Sequence, residues 1–258
     1  MHYETITLTI TDGLAVLTMN RADVMNALNT QMRAELTHAV RAAGNAARAL
    51  VITGAGRAFC SGQDLGDGAD AAEVDLERIL RDEYEPLLNQ IYNCPIPTIA
   101  AVNGAAAGAG ANLALAADVV IAAESAFFMQ AFSRIGLIPD AGGTYWMPRQ
   151  MGFAKAMGAS LFAEKVTARE AADIGLIWEC ITDDAFDATW RERGAHLAAG
   201  PTLSYRNIKT ALRASMGNSL DDQLALEAKL QGECGASRDF KEGVRAFLEK
   251  RSPKFEGR

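Results

Sequence analysis

The chain has 258 residues, a net charge of −7 at pH 7 and a sequence pI near 5.1. This length can bury one large core, with room for a smaller helical part. The acidic balance argues against nucleic acid as the main partner, because neutralising phosphates requires a basic face. Hydrophobic residues make up 49% and charged residues 22%, a globular composition that excludes general disorder.

Neither the cysteines nor the N-terminus indicates an exported protein. No two cysteines form a C-x-x-C pair, so we expect reduced thiols in a cytoplasmic protein and no metal site. The N-terminus lacks a basic region followed by an apolar one, so no signal peptide is expected. Residues 86–117 carry no charge, but they are rich in Ala and Gly and include Pro95 and Pro97. They predict a segment buried in protein and not a membrane span.

Strand and helix patterns alternate along the first half of the chain. The predicted strands cover 5–11, 14–19, 49–53, 98–102, 119–122 and 126–129. The predicted helices cover 29–43, about 108–117, 168–174, 185–199 and 239–250. Asp12-Gly13 predicts a hairpin turn, and Asn29 or Thr30 is the expected cap of the first helix. Strands alternating with helices, followed by a helical tail, predict an α/β fold with a helical C-terminal region.

Several common chemistries have no motif in this sequence. There is no G-x-S-x-G elbow, no H-E-x-x-H and no G-x-x-x-x-G-K-[ST]. Gly54 and Gly56 follow a strand, but Phe59 stands where a dinucleotide fingerprint requires its third glycine. The sequence therefore gives no specific sign of nucleophilic serine, metal or nicotinamide chemistry.

Three long segments distinguish the chain. They are 54–65 (GAGRAFCSGQDL), 103–118 (NGAAAGAGANLALAAD) and 135–144 (IGLIPDAGGT). In order and spacing they resemble the enoyl-CoA hydratase/isomerase, or crotonase, superfamily, over nearly the whole chain. Segments 106–111 and 131–140 are most similar to the ring-epoxide isomerases of phenylacetate degradation, which convert ring-1,2-epoxyphenylacetyl-CoA to the oxepin thioester.

The resemblance implies a spiral of ββα units in residues 1–200, which contains the thioester site. Residues 201–258 would form a helical region for trimerisation or for covering sites. The implied assembly is a homotrimer or a dimer of trimers. Coenzyme A would enter as part of the acyl-CoA substrate, with no separate cofactor and no metal.

Two backbone N–H groups are the expected oxyanion hole. By family position these are the N–H groups of Gln63 and Ala109, which would bind the thioester oxygen when it becomes negatively charged. Ala109 lies at a predicted helix start, where N–H groups are free and the helix dipole favours an anion. In a dry site each such donor contributes about 3 kcal/mol to catalysis. The alternative for these small residues is close helix packing.

The catalytic carboxylate is the feature that separates the possible reactions. Hydratases of this family use two glutamates, and the matching positions here hold Asn112 and Phe132. An amide cannot act as an acid or base at working pH, and a phenyl ring cannot activate water, so ordinary hydration is disfavoured. Asp140 matches the aspartate that isomerases of the family use as acid and base. Its alternative role is to cap a helix that starts near Gly142.

The resemblance also implies a set of substrate-binding residues. These are Ser61, Asp64, Leu65, Asn112, Phe132 and Arg21. Asn112 would orient a substrate oxygen or bond within its own helix. Asp64 would alternatively hold the shape of its loop. Arg21 would meet a coenzyme A phosphate or be an ordinary surface arginine.

The expected activity is isomerisation of an acyl-CoA through a thioester enolate, with the ring-epoxide substrate first. The alternatives are an aliphatic Δ3-Δ2-enoyl-CoA isomerase and an enoyl-CoA hydratase. A non-catalytic homologue that binds acyl-CoA or RNA is the alternative from another class, and the acidic pI disfavours RNA.

Overall fold

The computed structural model describes residues 2–66 and 75–258. The strands are β1 (Ile6–Thr11), β2 (Leu14–Met19), β3 (Ala49–Gly54), β4 (Ala58–Cys60), β5 (Thr98–Val102), β6 (Ala105–Ala107), β7 (Val119–Ala123), β8 (Phe127–Met129), β9 (Lys165–Thr167) and β10 (Glu179–Ile181). The helices are α1 (Thr30–Ala46), α2 (Leu76–Ile79), α3 (Glu85–Tyr92), α4 (Ala109–Leu115), α5 (Gly143–Gln150), α6 (Phe153–Phe162), α7 (Ala168–Asp173), α8 (Asp183–Ala199), α9 (Thr202–Ala214), α10 (Leu220–Ala236) and α11 (Arg238–Glu249). A π-helical turn, Leu80–Tyr84, joins α2 to α3.

The larger sheet contains six strands in the order β1-β2-β3-β5-β7-β10. The hairpin β1–β2 is antiparallel, and the predicted turn is correct, because Asp12 and Gly13 both have positive φ. The remaining pairs are parallel. β3 and β5 are short apolar runs that are buried almost completely, as expected of central parallel strands covered on both faces. Helices α1 and α8 pack against this sheet.

The smaller sheet contains four short strands in the order β4-β6-β8-β9. β4, β6 and β8 are parallel, and each follows directly after a strand of the larger sheet. The chain therefore repeats one unit: a strand in the larger sheet, a short strand in the smaller sheet, and then a helix. The units are β3-β4-α2/α3, β5-β6-α4 and β7-β8-α5. This arrangement is the predicted spiral of ββα units, and the predicted α/β class is confirmed.

Several features of the fold were absent from the prediction, among them the strands β4, β6, β9 and β10, each three residues long. β6 lies between the predicted strand 98–102 and the predicted helix that begins at about residue 108. The helical stretch 76–92 was also not predicted. Within it Leu87 and Ile91 are fully buried, whereas the preceding turns carry several charges. Three-residue strands are too short for a periodic pattern to reveal them.

The C-terminal region is helical, as predicted. The Nζ atom of Lys209 in α9 lies 2.7 Å from a carboxylate oxygen of Asp118, and it donates hydrogen bonds to the carbonyls of Cys94 and Ile96. This ion pair attaches α9 to the core. The proposed boundary at residues 200–201 falls between α8 and α9, and its functional meaning stays a prediction. Within the described residues no helix is both long and apolar enough to cross a membrane.

Candidate active site

The three segments singled out in the sequence meet at one edge of the smaller sheet. β4, β6 and β8 run parallel, so their carboxyl ends lie side by side. β4 is followed by the loop that contains Gln63, and β6 leads into α4 at Ala109. β8 is followed by the turn 131–135 and then by Asp140. Around this edge lies a cavity of about 300 Å³, which Gln63, Ala109 and Asp140 all line.

The backbone N–H groups of Gln63 and Ala109 are both without an acceptor among the described residues. Ala109 is the first residue of α4, and a first-turn N–H has no partner inside its own helix. For Gln63 the neighbours on both sides are used: the Gly62 carbonyl accepts from Leu28 N–H, and Asp64 N–H donates to the Leu28 carbonyl. These two bonds form an isolated parallel bridge between Leu28 and Gln63, and the Gln63 N–H takes no part in it.

Gly62 brings the two segments together. Its φ of +100° is a conformation that a side chain disfavours. A Cβ atom at this position would lie 2.9 Å from the Ala107 carbonyl oxygen and 3.5 Å from the Ala109 nitrogen. The backbone just before Gln63 therefore passes directly against the start of α4. Two free donors in one cavity, one at a helix N-terminus, can stabilise a negative oxygen.

Asp140 is the only carboxyl among the described residues that line this cavity. Its Oδ1 atom is buried and accepts no hydrogen bond within the described part of the chain. Burial raises the pKa of Asp140 to about 6, and a hydrogen bond from its own backbone N–H opposes that shift in part. A carboxyl with this pKa is ionised near neutral pH and can still exchange a proton readily.

The alternative role of Asp140 as a helix cap is wrong. Helix α5 begins at Gly143, and its N-cap is Gly142, with no capping bond from a side chain. Only the backbone carbonyl of Asp140 takes part, by accepting from Gly143 N–H at 2.8 Å. Burial is the largest influence on the pKa of this carboxyl. The side chain is left free for chemistry.

Asn112 is not on the cavity wall, contrary to the prediction that it contacts substrate. It is fully buried, and its amide exchanges two hydrogen bonds with the amide of Gln130, at 2.9 and 3.2 Å. Its Nδ2 atom also donates to the Asp140 carbonyl at 2.8 Å. Asn112 therefore holds the backbone that carries Asp140. That backbone is strained, because Ala141 has a φ of +46°.

Three of the other predicted residues do line the cavity. They are Ser61, Leu65 and Phe132. Phe132 is 8% exposed, and its ring lies 3.7 Å from where a Cβ of Gly108 would be, so it forms the apolar wall beside the start of α4. Leu65 is 76% exposed at the rim of the cavity. Apolar walls exclude water and strengthen the hydrogen bonds made inside.

Arg21 and Asp64 lie behind the loop and do not line the cavity. They form an ion pair at 2.8 Å, and Arg21 also donates to the Ala27 carbonyl. The hydrogen bond from Arg21 lowers the pKa of Asp64 below its usual range. The position of Asp64 therefore agrees with the alternative that it holds the shape of its loop. The predicted contacts of Arg21 and Asp64 with substrate are not supported.

A second cavity, of about 750 Å³, adjoins the first and shares Leu80, Tyr84 and Asp140 with it. Its walls include Tyr92, Tyr145 and Trp146. The Trp146 ring lies 5.3 Å from Tyr92 and 4.7 Å from Tyr145 between ring centroids. We call this cavity the aromatic chamber. Its location next to Asp140 could not be derived from the sequence, because its walls come from α3 and α5, which are distant in the chain.

Sequence reasoning also missed the residues that surround Gln63 from behind. Arg33 in α1 is only 2% exposed, whereas arginine side chains are ordinarily found at the protein surface. Its guanidinium contacts the side chains of Gln63 and Glu83. Tyr84, in the π-helical turn, donates a hydrogen bond to Gln63. Single π-helical turns often occur at functional sites.

Comparison with known proteins agrees with this geometry. The family model described as "Enoyl-CoA hydratase/isomerase" matches residues 9–258. A Rhodobacter capsulatus protein named "Probable enoyl-CoA hydratase" is 65% identical over 258 residues, which cover 100% of both chains. The 1,2-epoxyphenylacetyl-CoA isomerase of Escherichia coli K12 is 44% identical over 251 residues, or 95% of this chain and 96% of its own.

A solved structure has the same fold over the whole length. The crystal structure of an enoyl-CoA hydratase from Polaromonas sp. JS666 superimposes with a TM-score of 0.90 at 32% sequence identity. The match covers 97% of this chain and 99% of the other.

Proposed function

The chain is an enzyme that belongs to the enoyl-CoA hydratase/isomerase family, and we propose that it isomerises an acyl-CoA through a thioester enolate. The observation that carries this proposal is the single cavity that combines the free N–H groups of Gln63 and Ala109 with one carboxyl, that of Asp140, whose buried Oδ1 atom has no partner among the described residues. The thioester oxygen would accept from both N–H groups. Asp140 would take a proton from the α-carbon and return it at another carbon.

A single carboxyl is sufficient for this reaction and insufficient for efficient hydration. In isomerisation the proton that leaves the α-carbon goes to Asp140 and then back to the substrate, so no atom is gained or lost. Hydration requires one group to activate water and another to protonate carbon. Phe132 is one of the residues that line the 300 Å³ cavity, and Asp140 is the only carboxyl among the described residues that do so.

The acyl group that we propose is a ring epoxide, ring-1,2-epoxyphenylacetyl-CoA, which would become the oxepin thioester. The aromatic chamber supports this choice, because Tyr92, Tyr145 and Trp146 offer a ring the offset and edge contacts that aromatic groups prefer. The relative from Escherichia coli that carries this activity in its name adds further support. Loss of the α-proton and opening of the strained ring would shift the double bonds without any change of oxidation state.

Hydration of a 2-enoyl-CoA is the second candidate, and the 65% identity to the Rhodobacter capsulatus protein favours it. Purified enzyme assayed with epoxyphenylacetyl-CoA, a 3-enoyl-CoA and a 2-enoyl-CoA separates the candidates. We expect turnover of the epoxide to exceed that of the others. Faster loss of the 2-enoyl thioester, with a 3-hydroxyacyl product, would replace our proposal by hydration. Preference for the 3-enoyl thioester would retain the mechanism and change the acyl group.

We further propose that the C-terminal helices assemble the chain into a homotrimer or a dimer of trimers. Exposed apolar side chains of α11 support this proposal: Phe240, Val244, Phe247 and Leu248 are between 44% and 82% exposed. Such a cluster on a monomer surface is typical of an interface. Light scattering coupled to size-exclusion chromatography measures the mass, and a monomer would contradict the proposal.

A further inference from the structure

Arg33 is a buried cation on the far side of the Gln63 loop. Its guanidinium donates to the Leu28 carbonyl at 2.6 Å and to the Gln63 side-chain Oε1 atom at 2.8 Å. It also donates to one oxygen of Glu83, at 2.6 and 2.9 Å. A guanidinium binds several acceptors in fixed directions, which an ammonium group cannot do. Arg33 thus joins α1, the Leu28 backbone, the Gln63 loop and the π-helical turn.

The Gln63 side chain is held from two sides. Its Oε1 atom accepts from Arg33 and, at 2.7 Å, from the hydroxyl of Tyr84. Tyr84 is 3% exposed, and its ring lies 4.9 Å from the Arg33 guanidinium carbon. An amide oxygen has two lone pairs, and both are used here. The side chain of Gln63 is therefore fixed in the one orientation that satisfies both donors.

The backbone of Gln63 is held through the same residues. The peptide unit that joins Gly62 to Gln63 is trans, so its C=O and N–H point in opposite directions. Its carbonyl accepts from Leu28 N–H at 2.8 Å, and Leu28 in turn is tied to Arg33 through its own carbonyl. The N–H of Gln63 must consequently point away from Leu28. That direction leaves it without a protein acceptor among the described residues.

We propose that Arg33, Glu83 and Tyr84 form a clamp that aims the Gln63 N–H at the substrate oxygen. The clamp makes Arg33 and Tyr84 positioning residues for the oxyanion hole, since they act through Gln63. This inference rests on the proposed function in one respect, the binding of a thioester oxygen by the Gln63 N–H. A donor that is fixed before the reaction needs no reorganisation when the negative charge develops.

The clamp acts by geometry and not by the charge of Arg33. Glu83 neutralises the guanidinium at hydrogen-bond distance. Burial by itself would raise the pKa of the Glu83 carboxyl, but the hydrogen bonds and charge of Arg33 bring it below its usual range. The pair therefore presents little net charge to the cavity. A lysine at position 33 would keep the charge, lose the fork of donors, and fail to replace the arginine.

The test uses acetoacetyl-CoA, a β-keto thioester whose enolate has its own ultraviolet absorbance. Bound in an oxyanion hole, it ionises at a lower pH than in free solution, and the midpoint of that titration reports the strength of the two donors. Arg33→Lys and Gln63→Met remove the clamp and leave both backbone donors in the sequence. Arg48→Lys is the matched control, because Arg48 also donates to a backbone carbonyl, that of Gly200, outside both cavities.

We expect the bound-enolate midpoint to rise by about one pH unit in Arg33→Lys and in Gln63→Met, a tenfold loss of enolate stabilisation. In the isomerase assay kcat should fall about 10- to 100-fold with KM changed by less than about threefold. The control should match the wild type in both. An unchanged midpoint in folded Arg33→Lys and Gln63→Met would overturn the clamp. If Arg33→Lys does not fold, Gln63→Met decides alone.

A double-mutant cycle identifies the bond responsible. Tyr84→Phe removes only the hydroxyl that donates to Gln63. If Tyr84 acts through Gln63, the double variant Gln63→Met/Tyr84→Phe should be no worse than Gln63→Met. Additive losses would show that Tyr84 acts elsewhere and would remove it from the clamp.

The same probe separates failure of the clamp from failure of the proposed isomerase. A wild-type enzyme that lowers the enolate midpoint, but isomerises none of the thioesters, contradicts the proposed function and leaves the clamp testable by the variants. An active isomerase whose clamp variants keep the midpoint contradicts the clamp alone. If the wild-type enzyme does not lower the midpoint, the donors are not an oxyanion hole and the clamp is overturned as well.

Discussion

The Gln63 amide and the Asp140 carboxyl line the same cavity, and their surroundings are opposite. Around Gln63 the Gly62 carbonyl and the Asp64 N–H are paired with Leu28, and the side chain is fixed by Arg33 and Tyr84. Around Asp140 the backbone is held by Asn112, but the carboxyl Oδ1 has no partner among the described residues. The first group is fixed completely, and the second is fixed only through its backbone.

This difference follows from what each group has to do. A hydrogen-bond donor to a developing negative charge is most useful when it cannot move, because reorganisation costs free energy during the reaction. An acid and base must change its protonation state, and a hydrogen bond to its carboxylate would lower its pKa and stabilise one state. Leaving Oδ1 buried and unpaired keeps the pKa of Asp140 near 6, at the expense of stability.

The largest effect should come from the carboxyl itself. Asp140→Asn keeps the shape of the side chain and removes the group that can accept and return a proton, so isomerase turnover should fall by about 10³-fold or more. Stopped-flow or steady-state assays on the preferred thioester measure this loss. Binding of acetoacetyl-CoA as the enolate should persist, because the donors of Gln63 and Ala109 are unchanged.

The control for this substitution is Asp173→Asn, at an exposed carboxyl at the end of α7 that lines neither cavity. Its turnover should equal that of the wild type. Substantial turnover by Asp140→Asn, within about tenfold of the wild type, would exclude Asp140 as the proton carrier.

The second prediction removes the support of the Asp140 backbone. Asn112→Ala leaves the Gln130 amide without its buried partner and the Asp140 carbonyl with only the Gly143 N–H, which should lower the free energy of unfolding by about 1–3 kcal/mol. Because the strained turn at Ala141 then loses its anchor, kcat should fall about 10- to 100-fold, with a smaller change of KM. Asn218→Ala is the exposed control. A variant that loses stability but keeps kcat would limit Asn112 to a role in folding.

Much of this site was predictable, and the reason lies in the backbone. In the proposed mechanism Gln63 and Ala109 act through main-chain N–H groups, which need tight glycine- and alanine-rich turns after strands. Those turns leave long motifs in the sequence. The family resemblance drawn from the three motifs is confirmed by the match over residues 9–258. The α/β core and the helical C-terminal part were also predictable from the periodicity of the apolar residues.

Side-chain partners across the fold were not predictable in the same way. Asn112 was expected near the substrate because it occupies the position of a catalytic glutamate, yet its amide turns to Gln130. Arg33 lies on an amphipathic helix, where nothing in the spacing shows that a charged side chain is buried against Gln63. Such contacts depend on how α1, the π-helical turn and the loop come together. A single sequence contains no local signal for them.

The third prediction tests the acid–base role through pH. As the pH falls through about 6, Asp140 becomes protonated and can no longer accept the α-proton. The ratio kcat/KM should therefore decrease about tenfold per pH unit well below pH 6 and become constant about one pH unit above it. In Asp140→Asn this decrease of kcat/KM at low pH, the acid limb of the profile, should be absent. A limb with its midpoint near pH 4 would mean that the carboxyl is solvated and not buried during the reaction.

The fourth prediction concerns the aromatic chamber. Trp146→Leu keeps an apolar wall and removes the contacts with Tyr92 and Tyr145, so a ring-containing acyl group should lose about 1 kcal/mol of interaction, or roughly fivefold in kcat/KM. A straight-chain 3-enoyl-CoA should lose less. Trp178→Leu, at a tryptophan that is 70% exposed and lines neither cavity, is the matched control. Equal losses for both substrates would show that the chamber does not select rings.

The fifth prediction concerns stability, which should have a characteristic pH dependence. The pKa of Asp140 rises from 3.8 to about 6 on folding, so the native state binds more protons than the unfolded chain between about pH 4 and 6. The free energy of unfolding of the wild type therefore decreases as the pH rises through this window. A shift of about two units corresponds to less than about 3 kcal/mol, and partial exposure of the carboxyl to the cavity reduces this to about 1–2 kcal/mol.

Asp140→Asn does not ionise, so it should be more stable than the wild type by about that amount at pH 7 and equally stable near pH 4. Urea unfolding of both proteins at several pH values measures the difference. A stability difference that is the same at pH 4 and pH 7 would mean that folding does not raise the pKa of Asp140. The Asp140 carboxyl would then contribute to catalysis by its position alone. Asp140 and Gln63 would in that case differ in how freely their groups can move, and not in how their surroundings affect charge.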